Sequence, residues 1–204
     1  MEAVTAAASR VTKRVVSPSA RATWRLGHRL GAALLPGDVV ALVGDLGAGK
    51  TQLVRGACAG AGVDQADVSS PTFAIVQTYR GRLPFHHADL YRLADLDELY
   101  ATGFTDLLAG DGALVVEWAD RVDGWAPAER LEIRLEEVAG RPGSRRISLT
   151  GTGTRHAALA EALAGVGRAR PRAMPGAKVR ARLKARATAK ASRPRTRTKA
   201  GRTT

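Results

Sequence analysis

The chain has 204 residues, with 32 Lys and Arg against 19 Asp and Glu, a formal net charge of +13. Its longest apolar runs, such as Val39–Val43, fall far short of the ~20 residues needed to cross a bilayer. The opening residues lack the basic-then-apolar layout of a secretory signal, so a cytoplasmic protein without membrane attachment is expected. The single cysteine, Cys58, excludes an internal disulfide and a cysteine-built zinc site.

The charge is unevenly placed. Fourteen of the cations fall in residues 168–204, which hold no Asp or Glu, so the first 167 residues carry 18 basic against 19 acidic side chains, a net of −1. Three parts are expected: a disordered N-terminus over 1–10, a folded domain over 11–166, and a basic, disordered tail over 167–204. The tail has too few apolar residues to bury a core. It could bind a polyanion or be a solvated extension.

In chain order, Val11 to Val16 reads as a short strand, and Ser17-Pro18-Ser19 as a helix start. A helix follows from Ser19 to Leu35, with Trp24, Leu26, Leu30, Ala33 and Leu34 at helical spacing, and Pro36-Gly37-Asp38 ends it. Asp38 to Val43 is a short, nearly continuous apolar run, the pattern of a buried parallel strand. After a glycine-rich loop, Leu53, Val54, Ala57, Cys58 and Ala61 mark one face of a second helix ending near Gly60 to Gly62. Cys58 on that face is expected to be buried and unreactive.

Phe73 to Tyr79 and Leu83 to Asp89 read as a hairpin turning at Gly81. Asp95 to Tyr100 and Thr105 to Leu108 read as short helices broken by Gly103, and Ala113 to Trp118 as a second buried strand. Leu131 to Glu136 alternates apolar and charged residues, a half-exposed strand that Arg145 to Leu149 could pair across a Gly140–Gly143 turn. A helix from Thr154 to Leu163 closes the domain. The expected fold class is α/β, with central parallel strands and antiparallel hairpins at the margin.

The loop after the first buried strand carries the chemistry. Gly44-Asp45-Leu46-Gly47-Ala48-Gly49-Lys50-Thr51 matches Gly-x4-Gly-Lys-Ser/Thr, a phosphate-binding loop or P-loop. Glycines let the backbone wrap so that successive N–H groups point at phosphate oxygens, and the next helix presents its positive end to the same anion. Lys50 is expected to reach the β- and γ-phosphates and the Thr51 hydroxyl to ligate Mg²⁺. The strand before the loop and the amphipathic helix after it are the context this motif requires.

Such a loop needs a carboxylate on the metal side and a group that senses the γ-phosphate. Glu117 ends the run Ala113-Leu114-Val115-Val116, so it should emerge at the carboxyl edge of a central strand, where open α/β sheets bind ligands. Asp89 ends another strand, with His87 on the same face; on position alone either carboxylate could instead be an ordinary capping or ion-paired residue. Ser69-Ser70-Pro71-Thr72 is a plain turn or a hydroxyl loop placed to sense the nucleotide.

The P-loop, Ser70-Pro71-Thr72-Phe73, His87-Ala88-Asp89-Leu90-Tyr91-Arg92-Leu93 and Val116-Glu117-Trp118 occur in that order. Together with Thr23-x-x-Leu26-Gly27 and Pro36-Gly37-Asp38, this set closely resembles the TsaE (YjeE) family across roughly residues 11–165. The resemblance implies a P-loop NTPase fold and an ATPase of bacterial tRNA threonylcarbamoyladenosine synthesis. Such an ATPase would sustain turnover of the TsaB–TsaD complex, which transfers threonylcarbamoyl to N6 of A37. It further implies ATP and Mg²⁺ as cofactors, with the nucleotide on Asp45, Leu46, Gly47, Ala48, Gly49, Lys50 and Thr51. Thr51 and Glu117 would hold the metal, Lys50 the phosphates, Thr72 would act as a switch, and Asp89 would serve hydrolysis. Asp120 and either Arg141 or Arg145 are expected near the nucleotide. Partners would be TsaD, TsaB and, through them or through the basic tail, tRNA. The tail and Gln52 depart from the family pattern.

The absence of Asn removes the Asn-Lys-x-Asp box by which GTPases select guanine. A P-loop small-molecule kinase is the alternative, but it would need an Arg-bearing lid, and no Arg-rich helical insertion precedes the tail. Slow hydrolysis by the isolated chain is expected, with an arginine from a partner, or Arg92 in cis, completing the site.

Overall fold

The computed structural model describes residues 9–64, 66, 68, 75–108 and 110–165. Thr72 with its Ser-Pro-Thr segment, Phe73, and the whole basic tail from residue 166 lie outside the described residues.

Twelve elements occur among them: β1 (Arg10–Ser17), α1 (Ala20–Ala33), β2 (Val39–Val43), α2 (Lys50–Gly60), β3 (Val76–Arg80), β4 (Pro84–Asp89), α3 (Leu96–Tyr100), α4 (Phe104–Leu108), β5 (Ala113–Glu117), β6 (Leu131–Glu137), β7 (Arg145–Thr152) and α5 (Thr154–Gly165). The seven strands form one sheet in the order β1-β7-β6-β2-β5-β4-β3. Its centre, β6-β2-β5-β4, is parallel. The margins are antiparallel: β3 pairs with β4, while β7 pairs with both β6 and β1. This is the expected α/β P-loop fold. Among the described residues no helix is long and apolar enough to cross a membrane.

Strand alternation sorts the core into two layers. Val40 and Leu42 of β2 face α1, α2 and α5, joined there by Val115, Ile133 and Leu149 from the neighbouring strands. Val39 and Ala41 face the other way, onto Leu99 of α3, Phe104 of α4 and Val122 and Trp125 of the loop after β5. All five residues of β2 are buried, as expected of a strand covered on both faces.

Helix boundaries follow their caps. Ser19 is the N-cap of α1, its hydroxyl accepting from Ala22 N at 3.2 Å. Ser17 instead ends β1 and hydrogen-bonds Thr23 at 2.8 Å. The helix stops at Ala33, two residues short of the sequence expectation, because Leu34 turns to an extended backbone. Asp38, buried at the start of β2, closes the turn by accepting from Leu35 N at 2.8 Å. It is held by both Nε and Nη2 of Arg155 from α5, at 3.1 and 2.7 Å.

The contact between α1 and α2 is closer than apolar spacing predicts. Gly27 and Gly31 of α1 lie against the backbone of α2, and Gly56 and Gly60 of α2 against that of α1. A Cβ at Gly31 would sit 1.9 Å from Ala57 O, and one at Gly60 1.9 Å from His28 O. The two helices therefore touch backbone to backbone, and the loop-bearing α2 cannot shift without moving α1. Cys58 is fully buried in the core, as expected, and burial pushes its thiol up to about 12.

Neither helix can yield at this contact by rotating a side chain, since the opposing atoms are main-chain. Gly31→Ala is expected to cost about 3 kcal/mol by overpacking, read from urea unfolding. A loss below about 0.5 kcal/mol, typical of a surface substitution, would contradict the backbone contact.

Candidate functional site

The site is assembled at the carboxyl edge of β2, β5 and β4. Register does the placing: Leu42 of β2 lies opposite Glu117 of β5, which lies opposite Asp89 of β4. By alternation, Glu117 shares a face with Val115, and Asp89 and His87 share one with Phe85. That is the α2 side of the sheet. Three polar side chains therefore gather under the start of α2, where the loop from β2 delivers Lys50 and Thr51.

The loop fits an anion. Gly49 is the N-cap of α2 in the left-handed region (φ 101°) and offers no side chain to the helix's first N–H groups, which have no intrahelical partner. Gly44 (φ 143°) cannot be replaced, because a Cβ there would lie 2.3 Å from Leu135 O. Lys50 is buried, and its Nζ donates to Gly44 O at 2.5 Å and Asp45 O at 3.0 Å while sitting 3.5 Å from the centre of the Trp118 ring. Its charge thus rests on two carbonyls and a π face, with no ion pair among the described residues. Burial pulls its pKa below the usual lysine range, and Glu117, Asp120, Asp89 and Asp45 act in the opposite direction.

Glu117 is buried and used at both oxygens. Thr51 Oγ1 donates to Oε2 at 3.0 Å, and His87 Nε2 lies 3.0 Å from Oε1. A carboxylate only accepts, so this contact keeps a proton on His87 Nε2. Among the described residues no cluster of three or more His, Cys, Asp and Glu forms a preformed metal cage. A hydroxyl beside one carboxylate is the donor set that suits Mg²⁺, which takes its remaining ligands from phosphates and water.

Asp89 is half-buried at the end of β4. Burial raises its pKa above the ordinary aspartate value, with Glu117 adding to the effect, against a stabilising hydrogen bond from Tyr91 N at 3.0 Å. Asp120 is exposed and borders a cavity of about 220 Å³ lined also by Gly44, Asp45, Tyr91, Trp118 and Arg134. Of the two hairpin arginines, Arg145 meets the loop, donating from Nε to Ala48 O at 2.8 Å and from Nη2 to Gly47 O at 2.9 Å. Glu137, 3.0 Å away, steadies that guanidinium. Arg141 sits in the turn at the hairpin's tip. Arg92 is exposed in the turn after β4, and Leu46 is the most exposed large apolar residue of the loop.

One prominent member of the site has no signature in hydrophobic periodicity. Trp118 reads as the last residue of an apolar strand, but β5 ends at Glu117 and Trp118 takes φ +57°. This left-handed backbone costs about 1–2 kcal/mol for a non-glycine residue. It swings the indole out of the sheet's alternation, over Lys50 and against Tyr91, with ring centroids 4.8 Å apart. A strained non-glycine residue beside a ligand loop is a common mark of function.

Comparison with known proteins agrees with this geometry. The model of the family described as "Threonylcarbamoyl adenosine biosynthesis protein TsaE" matches residues 17–147. The tRNA threonylcarbamoyladenosine biosynthesis protein TsaE of Treponema pallidum is 40% identical over 136 residues, covering 67% of this chain and 98% of the relative. The Bacillus subtilis protein of the same name is 38% identical over 152 residues, covering 74% and 92%. The crystal structure of Bacillus subtilis YdiB superposes with a TM-score of 0.61 at 31% identity, covering 80% of this chain and all of that one. With its P-loop fold, its loop-to-Glu117 geometry and these relatives in agreement, the chain belongs to the TsaE family.

Proposed function

We propose that this protein is the ATP-binding and ATP-hydrolysing component of the tRNA N6-threonylcarbamoyladenosine machinery, sustaining turnover of a TsaB–TsaD transferase without performing the transfer itself. The observation that carries the reading is the convergence of the uncapped α2 N-terminus, Lys50 and the Thr51–Glu117 pair at one sheet edge. The names of the relatives support the pathway, and the loop's chemistry supports the nucleotide.

When bound, ATP and Mg²⁺ would supply the phosphoryl group and the cation that neutralises its charge. The residues' parts follow from what they touch. The amides of Gly47 to Thr51 would bind phosphate oxygens. Lys50 would exchange two carbonyls and the Trp118 ring for phosphate. Thr51 and Glu117 would hold the metal, and His87 keeps the Glu117 carboxylate oriented through its second oxygen. Asp89, its proton affinity raised by burial, would orient or accept a proton from the attacking water. Arg145 stiffens the loop from below, so a partner rather than this arginine would meet the γ-phosphate. Thr72 is proposed as the switch residue and Asp120 as a nucleotide neighbour.

Lys50→Ala should lower ATP hydrolysis by about 10²–10³-fold, the scale for losing one preorganised charge at a transferring phosphoryl group. Unchanged hydrolysis would remove the loop from the mechanism. Asp89→Asn separates binding from chemistry: hydrolysis should drop roughly 10²-fold while a fluorescent ATP analogue binds as before. Parallel loss of binding would make Asp89 a structural residue instead.

A further inference from the structure

At the edge of the sheet away from the phosphate loop, one buried histidine takes no part in the proposed mechanism. His156 is the third residue of α5, and its side chain is only 6% exposed. Among the described residues neither Nδ1 nor Nε2 has a hydrogen-bond partner. Asp38 Oδ1 lies 3.6 Å from Nε2, beyond hydrogen-bond reach.

That carboxylate is already committed. Oδ2 of Asp38 accepts from Leu35 N, and both oxygens accept from Arg155. Nη2 of the same arginine also donates to Ala33 O at 2.7 Å. Arg155 and Asp38 thus tie the first turn of α5 to the end of α1 and to the turn that enters β2. The far end of α5 is held separately, by Arg29 donating to Ala162 O and Leu163 O at 3.1 and 2.6 Å.

A proton on His156 strains this arrangement. The first turn of a helix is its positive end, which disfavours a cation. The Asp38 charge is already matched by Arg155, and a protonated ring would bury N–H groups with no acceptor in place. The charged groups facing the ring are Asp38 at the start of β2, Arg155 on its own helix and Glu129 before β6. Glu129 sits at the helix entry, where a Cβ on Gly153 would lie 2.5 Å from its carboxyl group. Burial dominates and lowers the His156 pKa below the ordinary 6.5. Asp38 opposes that shift, Arg155 adds to it, and Glu129 and the Thr152 backbone oppose it. Once protonated, the ring finds an acceptor only by displacing Arg155 from Asp38 or by moving out to water. Either motion loosens the tie.

We propose that His156 is an acid-operated latch. Neutral, it leaves Arg155 on Asp38; protonated, it frees the first turn of α5 and the 34–38 turn while the rest of the domain stays closed.

The sign follows from linkage. The unfolded chain takes up this proton more readily, so the stability that neutral His156 contributes is complete above pH 6.5. It is lost as the pH falls from there through the folded midpoint. Buried His86, its pKa also lowered by burial against the opposing charge of Asp111, acts in the same direction. The readout is therefore the difference between wild type and His156→Leu, which removes the titrating ring at similar volume.

The test uses the full chain without nucleotide, with amide exchange at about pH 7.5 and about pH 5.5, on either side of the ordinary histidine midpoint. Protection should fall at residues 154–158 and 34–38 in the wild type and hold in His156→Leu. Leu35 N–H, whose acceptor is Asp38 itself, reports the latch directly. Protection at residues 160–163, beside the Arg29 contacts, should hold in both. The chain has four histidines, so NMR can follow the His156 ring in the wild type, with a midpoint expected below 6.5. A midpoint at or above 6.5 would overturn the proposal, as would equal acid loss in His156→Leu. So would wild-type loss spread evenly over the domain, which would be general acid destabilisation. If His156→Leu does not fold, the wild-type midpoint and the location of the wild-type loss decide.

Discussion

The register between β2 and β5 is the constraint on which the rest depends. Setting Leu42 opposite Glu117 ends both strands at the same level, so the chain leaving β2 must turn into α2 directly above the Glu117 carboxylate. Slipping that pairing by one residue would send Glu117 to the opposite face, with α3 and α4, and put Val116 beneath Thr51. The burial of β2 on both faces makes such a slip prohibitive, because every alternate side chain already has a place in one core layer or the other. The polar site is thus positioned by apolar packing.

Two further devices hold the loop once it is placed. Arg145 fixes the carbonyls of Gly47 and Ala48 from the β6–β7 hairpin, and the glycine contact with α1 fixes the helix behind it. Within the loop, Ala48 N donates to Asp45 O at 3.1 Å, a further contact that holds its shape. Lys50, by contrast, is parked. It sits on main-chain oxygens of its own loop and beneath the Trp118 ring. The left-handed Trp118 and its Tyr91 neighbour form a lid on that lysine, and the nearby exposed Leu46 leaves the mouth of the site partly apolar.

Much of this architecture was legible in the residues, for identifiable reasons. Strands and helices with a strong apolar period, such as Val39–Val43 or the Leu53 to Ala61 face, declare themselves because burial imposes the period. Elements bounded by special backbone were misjudged by a residue or two: α1 ends before Leu34, and β5 before Trp118, where side-chain character gives no warning of a change in φ or ψ. Strand order is a property of distant pairings, so the parallel placement of β6 beside β2 and the capture of β1 by β7 could not be read from local pattern. The close approach of α1 and α2 hides in plain view, since Gly27, Gly31, Gly56 and Gly60 look like weak helix positions until both helices are in place. Motif spacing brought Lys50, Thr51 and Glu117 forward, and the fold brings them together. It also decides between Arg141 and Arg145 as the arginine on the loop, a choice that depends on the direction each side chain takes from the hairpin.

On the proposed function, this protein is an energy-coupling subunit whose nucleotide cycle resets a separate transferase. Reconstituting TsaB and TsaD with tRNA, the threonylcarbamoyl donor and ATP, then following modified tRNA over many equivalents of enzyme, tests that role. About one equivalent of product is expected without this chain and sustained turnover with it, sustained turnover being lost when Lys50→Ala replaces the wild type. Sustained turnover with no chain added, or with Lys50→Ala as effective as wild type, would contradict it.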